Sequence, residues 1–185
     1  MRIRWFLALA FPLLALPAQA GLIPAAVNIA PEGSNFRFTN TVILPSDYKL
    51  KSGDFFTIYD FNGYAAGLSG QPVNWTFSTA MLGPNPPHII PIDDPKIPNI
   101  TWTYTGPTVT GQLTLGNFSA LSQFGTRGTG WFASSDYSSF EGHRVGNITS
   151  TDVPGGPRGA PEPAALALFA AALPALGLLR LVRRK

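Results

Sequence analysis

Asn99-Ile100-Thr101-Trp102-Thr103-Tyr104-Thr105 is the stretch that decides the fold class. Large apolar groups at Ile100, Trp102 and Tyr104 alternate with hydroxyls at Thr101, Thr103 and Thr105. Side chains of an extended chain point alternately to opposite faces, so a period of two puts the three large groups together. Aromatic and β-branched residues also fit a pleated surface better than a helix. The stretch is expected as a strand with Ile100, Trp102 and Tyr104 on one side and the threonines on the other.

The pattern recurs on both sides of it, at 36–43, 55–61, 73–79, 112–118, 130–134 and 144–149, with Gly, Pro and Asn between the runs. Such punctuation marks turns. No run between 21 and 154 has a helical period. Seven or so short strands in about 130 residues predict an all-β domain, an antiparallel β-sandwich or a partly closed barrel, and that length supports a hydrophobic core. Pro84, Pro86, Pro87, Pro91 and Pro95 interrupt the pattern and predict a long irregular loop, because proline lacks the donor a central strand needs. The chain has no cysteine, so core and strand pairing must hold the fold without disulfides, and thiol catalysis and thiolate metal sites are excluded.

The ends read differently from the middle. Arg2 and Arg4 precede an apolar run over 5–16, and Ala18-Gln19-Ala20 supplies small residues for signal peptidase. Residues 1–20 are therefore expected as a secretory signal peptide cut after Ala20, the run being shorter than the ~20 residues of a spanning helix. At the other end, 164–179 is uncharged, and Arg180, Arg183, Arg184 and Lys185 follow. Sixteen helical residues reach only ~24 Å. Extending to residue 182, with Arg180 snorkelling, approaches the ~30 Å hydrocarbon thickness. The expectation is a transmembrane helix over 164–182 and a basic cytoplasmic end at 183–185. A Gly/Pro-rich spacer with a Pro-Glu-Pro tripeptide, 155–163, separates it from the β-rich ectodomain at 21–154.

Charge follows this division. The chain carries a formal +3, yet residues 21–160 hold seven basic against nine acidic side chains, a net of −2. The basic character belongs to the ends, and no Lys/Arg stripe is available for phosphates, so nucleic-acid binding is not expected.

Pro161-Glu162-Pro163, a short apolar helix and an Arg-rich terminus together resemble the PEP-CTERM sorting signal, over the last seventh of the chain. That resemblance implies an exported protein of a Gram-negative, exopolysaccharide-producing bacterium, with an exosortase-like membrane enzyme as processing partner. It makes Pro161, Glu162, Pro163, Arg180, Arg183, Arg184 and Lys185 the sorting residues. The stretches 52–61 and 97–106 are similar to segments of uncharacterised ectodomains of the same group, and imply no activity. The physical logic of the motif is simple: two prolines remove two donors and fix φ, so the tripeptide stays extended beside the membrane.

Candidate chemistry in the middle is sparse. Asp54 and Asp60 flank one predicted strand with equal parity and invite comparison with the carboxylate pair of a glycosidase, although each also suits a turn. Asp93-Asp94 offers two oxygen ligands for a hard cation, without the spacing of a calcium loop. His88 and His143 are the two histidines, and no nucleophile elbow, zinc motif or phosphate loop accompanies them. No cofactor and no metal site is expected. Asn74, Asn99, Asn117 and Asn147 begin glycosylation sequons. Trp75, Trp102, Tyr104, Trp131 and Tyr137 suit either a core or a platform for sugar rings.

Three functions follow as expectations. The first is a non-enzymatic structural or interaction protein of the envelope or polysaccharide matrix. The second is a carbohydrate-binding β-sandwich, with stacking at Trp75, Trp102, Tyr104 and Trp131. The third is a secreted glycoside hydrolase.

Overall fold

The computed structural model describes residues 21–156, which form eleven strands and no α-helix. In chain order these are β1 (Ile23–Glu32), β2 (Asn35–Leu44), β3 (Tyr48–Leu50), β4 (Phe55–Ile58), β5 (Tyr64–Gly70), β6 (Trp75–Ala80), β7 (Asn99–Tyr104), β8 (Val109–Thr110), β9 (Leu113–Ser122), β10 (Arg127–Ser138) and β11 (Arg144–Pro154). All pairings among them are antiparallel. Within the described residues no helix is long and apolar enough to cross a membrane. The expected signal peptide with Ala18 and Ala20, and the tail from Pro161 to Lys185, lie outside the described residues.

The strands make two sheets packed sandwich-like over one core. The first has the order β1-β2-β9-β5. The second runs β6-β7-β4-β10, with β11 along the other edge of β10 and the short β3 and β8 continuing beyond the end of β4. Strand β7, the diagnostic stretch, is interior. Its Trp102 stands opposite Phe56 on β4 and Phe77 on β6, and its Ile100 opposite Ile58.

Phe56 is the hub of the core. Its ring centroid lies 5.2 Å from Trp102, 5.1 Å from Phe132, 5.6 Å from Trp75 and 4.9 Å from Phe118. Phe118 belongs to β9 of the other sheet, and it meets Trp75 at 4.9 Å as well. The two sheets are thus joined by aromatic edges, each such pair worth ~0.5–1.5 kcal/mol beyond its buried area. Phe38, Val42 and Leu44 extend the same core from β2, where buried and half-buried positions alternate along the strand.

The outer face of β7 is also covered. Thr101 is buried and its hydroxyl meets that of Thr57 at 2.8 Å. The proline-rich segment 81–98 crosses this face: Tyr59 donates its phenol to the Pro84 carbonyl at 2.6 Å, and Pro86 lies against Gly146. The expected irregular loop is therefore a lid on the second face of the sheet.

Strand boundaries differ from the sequence pattern for identifiable reasons. β1 was hidden by Pro24 and Pro31, which are tolerated because β1 is an edge strand. β5 has the poor β-formers Ala65, Ala66, Gly67, Ser69 and Gly70, and it is held by pairing to β9. β9 continues past Phe118 to Ser122 because β2 runs beside it throughout. β4 stops at Ile58, and Asp60 then turns the chain with φ of 55°.

Candidate functional site

The four aromatics proposed for sugar stacking separate into two groups. Trp102 is fully buried, Trp75 is 7% exposed and Tyr104 is 5% exposed, so all three belong to the core and cannot offer a ring face to a ligand. This corrects the stacking expectation at those positions: the alternation that made them strand residues also pointed them inward. Trp131 alone of the four is at the surface, 36% exposed.

Trp131 stands on the outward face of β10, where it pairs with Ser150 of β11, while Thr129 pairs with Asp152. Directly opposed residues and residues two apart share a face, so Thr129, Trp131, Ser150 and Asp152 form one outward patch. Next to it lies an open cleft of about 310 Å³ whose walls include Pro24, Val27, Thr129, Ser150 and Asp152. The irregularity between Pro24 and Ala26 bends β1 at this point. Arg127 pairs with Asp152 and donates to the Val27 carbonyl at 3.1 Å, so it joins two residues of the cleft wall. Hydroxyls, a carboxylate and a guanidinium beside an exposed indole are the groups with which a protein surface recognises a sugar.

A second cluster lies inside. Asp54 and Asp136 are both fully buried. Pairing of Phe56 with Ser134 and of Phe55 with Ser135, continued by one step, sets Asp54 opposite Asp136. Burial pushes the Asp54 carboxyl up to about 6, against the lowering effect of the Lys51 amide and of Arg144. Arg144 reaches Asp54 Oδ1 at 3.0 Å, and the Lys51 amide donates to Oδ2 at 2.6 Å. Burial likewise pushes Asp136 up to about 7, and the neighbouring Asp54 charge adds to this. The Leu22 amide donates to Asp136 Oδ2 at 2.6 Å, whereas Oδ1 has no hydrogen-bond partner among the described residues. Asn147 holds the Leu22 carbonyl at 2.9 Å. Tyr137 closes the cluster from outside, with Lys51 Nζ 3.7 Å and the Arg144 guanidinium 5.4 Å from its ring centre.

Asp54 and Asp60 are not brought together. The extended β4 lies between them and alone spans roughly 13 Å, beyond the ~5–9.5 Å that a glycosidase pair requires. Asp60 instead accepts the Asp94 amide at 2.9 Å. Asp93 accepts the Asn99 side chain at 2.9 Å and the Gly83 amide at 3.0 Å, so the Asp93-Asp94 pair fastens the proline-rich lid to β7. Among the described residues no group of three or more His, Asp or Glu is placed to hold a metal. His143 is exposed beside Glu141 at 3.0 Å, and His88 is exposed with φ of 60°. Of the sequon asparagines, Asn99 and Asn147 are buried, while Asn74 and Asn117 are exposed.

Sequence reasoning missed Asp136, Arg144 and Gly21. The signal for Asp136 was present: Phe132, Ser134 and Asp136 continue one parity, so the face that buries Phe132 also buries the carboxylate. The hydrogen-bond partner of that carboxylate, Leu22, is 114 residues away in sequence and carries no local signal. The sequence matches no protein-family model, and no curated protein is significantly similar to it.

Proposed function

We propose that the chain is an exported, non-enzymatic protein of the cell surface or polysaccharide matrix, delivered by residues 1–20 and sorted through the Pro161–Lys185 tail. The observation that carries this reading is the fit between the folded unit and the two signals. β1 begins at Ile23, just past the Ala20 cut, and β11 ends at Pro154, before the Pro161 motif. Both processing events would leave the sandwich whole. An exosortase-like enzyme and signal peptidase are then the processing partners, and extracellular polysaccharide is the ligand class. A reporter fused after Ala160 tests this. It should appear outside the cytoplasmic membrane, and a cytosolic reporter would refute the proposal.

A carbohydrate-binding role for the same sandwich is favoured by one observation, the exposed Trp131 beside the 310 Å³ cleft of β1, β10 and β11. Retention of the protein on the producing organism's polysaccharide, lost in Trp131→Ala, would support it. Retention unchanged by that substitution would remove it.

A further inference from the structure

We propose that the buried Asp136 carboxylate is the receptor for the chain's own new N-terminus, the α-ammonium of Gly21 released by cleavage after Ala20. This rests on the export reading for the cut itself, and goes beyond it in assigning the product a binding site.

The geometry begins at Gly21, which is buried and has φ of 105°. A Cβ built there would lie 2.8 Å from Asp136 Oδ2, 3.0 Å from Oδ1 and 3.1 Å from Asn147 Cβ. Only glycine fits this approach. The Gly21 nitrogen is one ~1.46 Å bond from that Cα, which places it within about 5 Å of the carboxylate. Leu22, the next residue, is fully buried and fixed at both ends: its amide bonds Asp136 and its carbonyl bonds Asn147. The chain is thus clamped one residue from its expected end, and rotation about one or two bonds brings a free ammonium to the carboxylate.

The receptor also lacks what the ammonium would supply. Asp136 Oδ1 is buried with no hydrogen-bond partner among the described residues. The charged and titratable groups around it do not fill that need. Asp54 repels it, Arg144 is engaged by Asp54, Lys51 lies over Tyr137, and the Tyr48 phenol sits near enough to feel its charge. A buried carboxylate without a cation is costly, whereas a paired and hydrogen-bonded one is tolerated. Signal removal would therefore complete the fold, making the secreted form more stable than its precursor.

The two forms also differ in sign with pH. In the precursor, burial raises Asp136 to about 7, so the folded state keeps a proton that the unfolded chain loses near 4, and stability falls as pH climbs between those values. Pairing removes the Asp136 share of that slope and leaves the smaller share that Asp54 contributes up to about pH 6. In place of the Asp136 share comes a fall above pH ~8, where the unfolded α-amine deprotonates while the paired one does not.

The test uses full-length protein processed in its host, with the N-terminus read by mass spectrometry. The α-amine of Gly21 should be acetylated at least ten-fold more slowly in the folded than in the urea-unfolded protein. A precursor blocked by Ala18→Arg should melt about 5 °C lower at pH 7. It should also lose stability more steeply between pH 4 and 7 than the processed protein, with the excess most visible between pH 6 and 7, above the Asp54 range. Insertion of one glycine between Ala20 and Gly21 displaces the ammonium with Asp136 intact, so it should restore amine reactivity and lower the melting temperature. Asp136→Asn should do the same, and if it does not fold, the insertion variant decides. An N-terminus at Gly21 that reacts at the free-peptide rate would overturn the proposal alone. An N-terminus elsewhere would overturn both it and the assigned cleavage.

Discussion

Phe56→Ala should be among the most damaging single substitutions in the domain. The ring is fully buried and meets Trp75, Trp102, Phe118 and Phe132 at centroid distances of 4.9–5.6 Å. Truncating a buried Phe to Ala costs ~3–5 kcal/mol through lost transfer energy and the residual cavity. The upper part of that range applies here, because two rigid sheets flank the site and cannot collapse far. Against a typical total of ~5–15 kcal/mol, the loss removes roughly a quarter or more of the stability. With a urea slope of ~1–3 kcal/mol per molar, the midpoint should fall by roughly 2 M. Urea titration followed by tryptophan fluorescence reads it directly, since Trp75 and Trp102 both touch the ring. A double-mutant cycle with Phe118→Ala should give a coupling of ~0.5 kcal/mol or more, as the two rings bridge the sheets. A loss below ~1 kcal/mol for Phe56→Ala would refute the placement of this residue at the centre of the core.

Asp54→Asn should flatten the dependence of stability on pH between about 4 and 6. Asp54 is raised to about 6 by burial, so the folded state binds its proton more tightly and stability falls as pH rises through that window. Melting temperatures measured across it for both forms check the sign. Gly63→Ala should destabilise by about 1–3 kcal/mol, because φ is 61° and a Cβ would meet the Phe124 ring at 2.5 Å; chemical denaturation measures it. Trp131→Ala, on an exposed position, should change stability by less than ~0.5 kcal/mol while weakening retention on polysaccharide, as paired melting and pull-down measurements would reveal.

Strands rich in Ile, Trp, Tyr and Thr were legible because their own residues fix the period, as at 99–105. Strands β1 and β5 were not, since prolines and small residues suit them only through the neighbours they pair with. The same limit applies to the sites. Trp131 looked no different in sequence from Trp75 or Trp102, and what separates them is which face of which sheet each occupies. Asp54 read as a turn residue, and its side chain does accept the Lys51 amide three residues back. Its ion pair with Arg144 depends on β10 lying between β4 and β11, which no local pattern encodes. The signals proposed for the two ends are read for the opposite reason: a signal peptide or sorting tail is a linear segment, and reading one needs no tertiary partner.

The most direct test of export and sorting is the intact mass of the protein in each cell fraction, for the full chain and for a chain lacking residues 161–185. The full chain is expected outside the cytoplasmic membrane with its N-terminus at Gly21, and loss of the tail is expected to change where it is retained. A 19.8 kDa species in the cytosol, or the same size and destination with and without the tail, would contradict this.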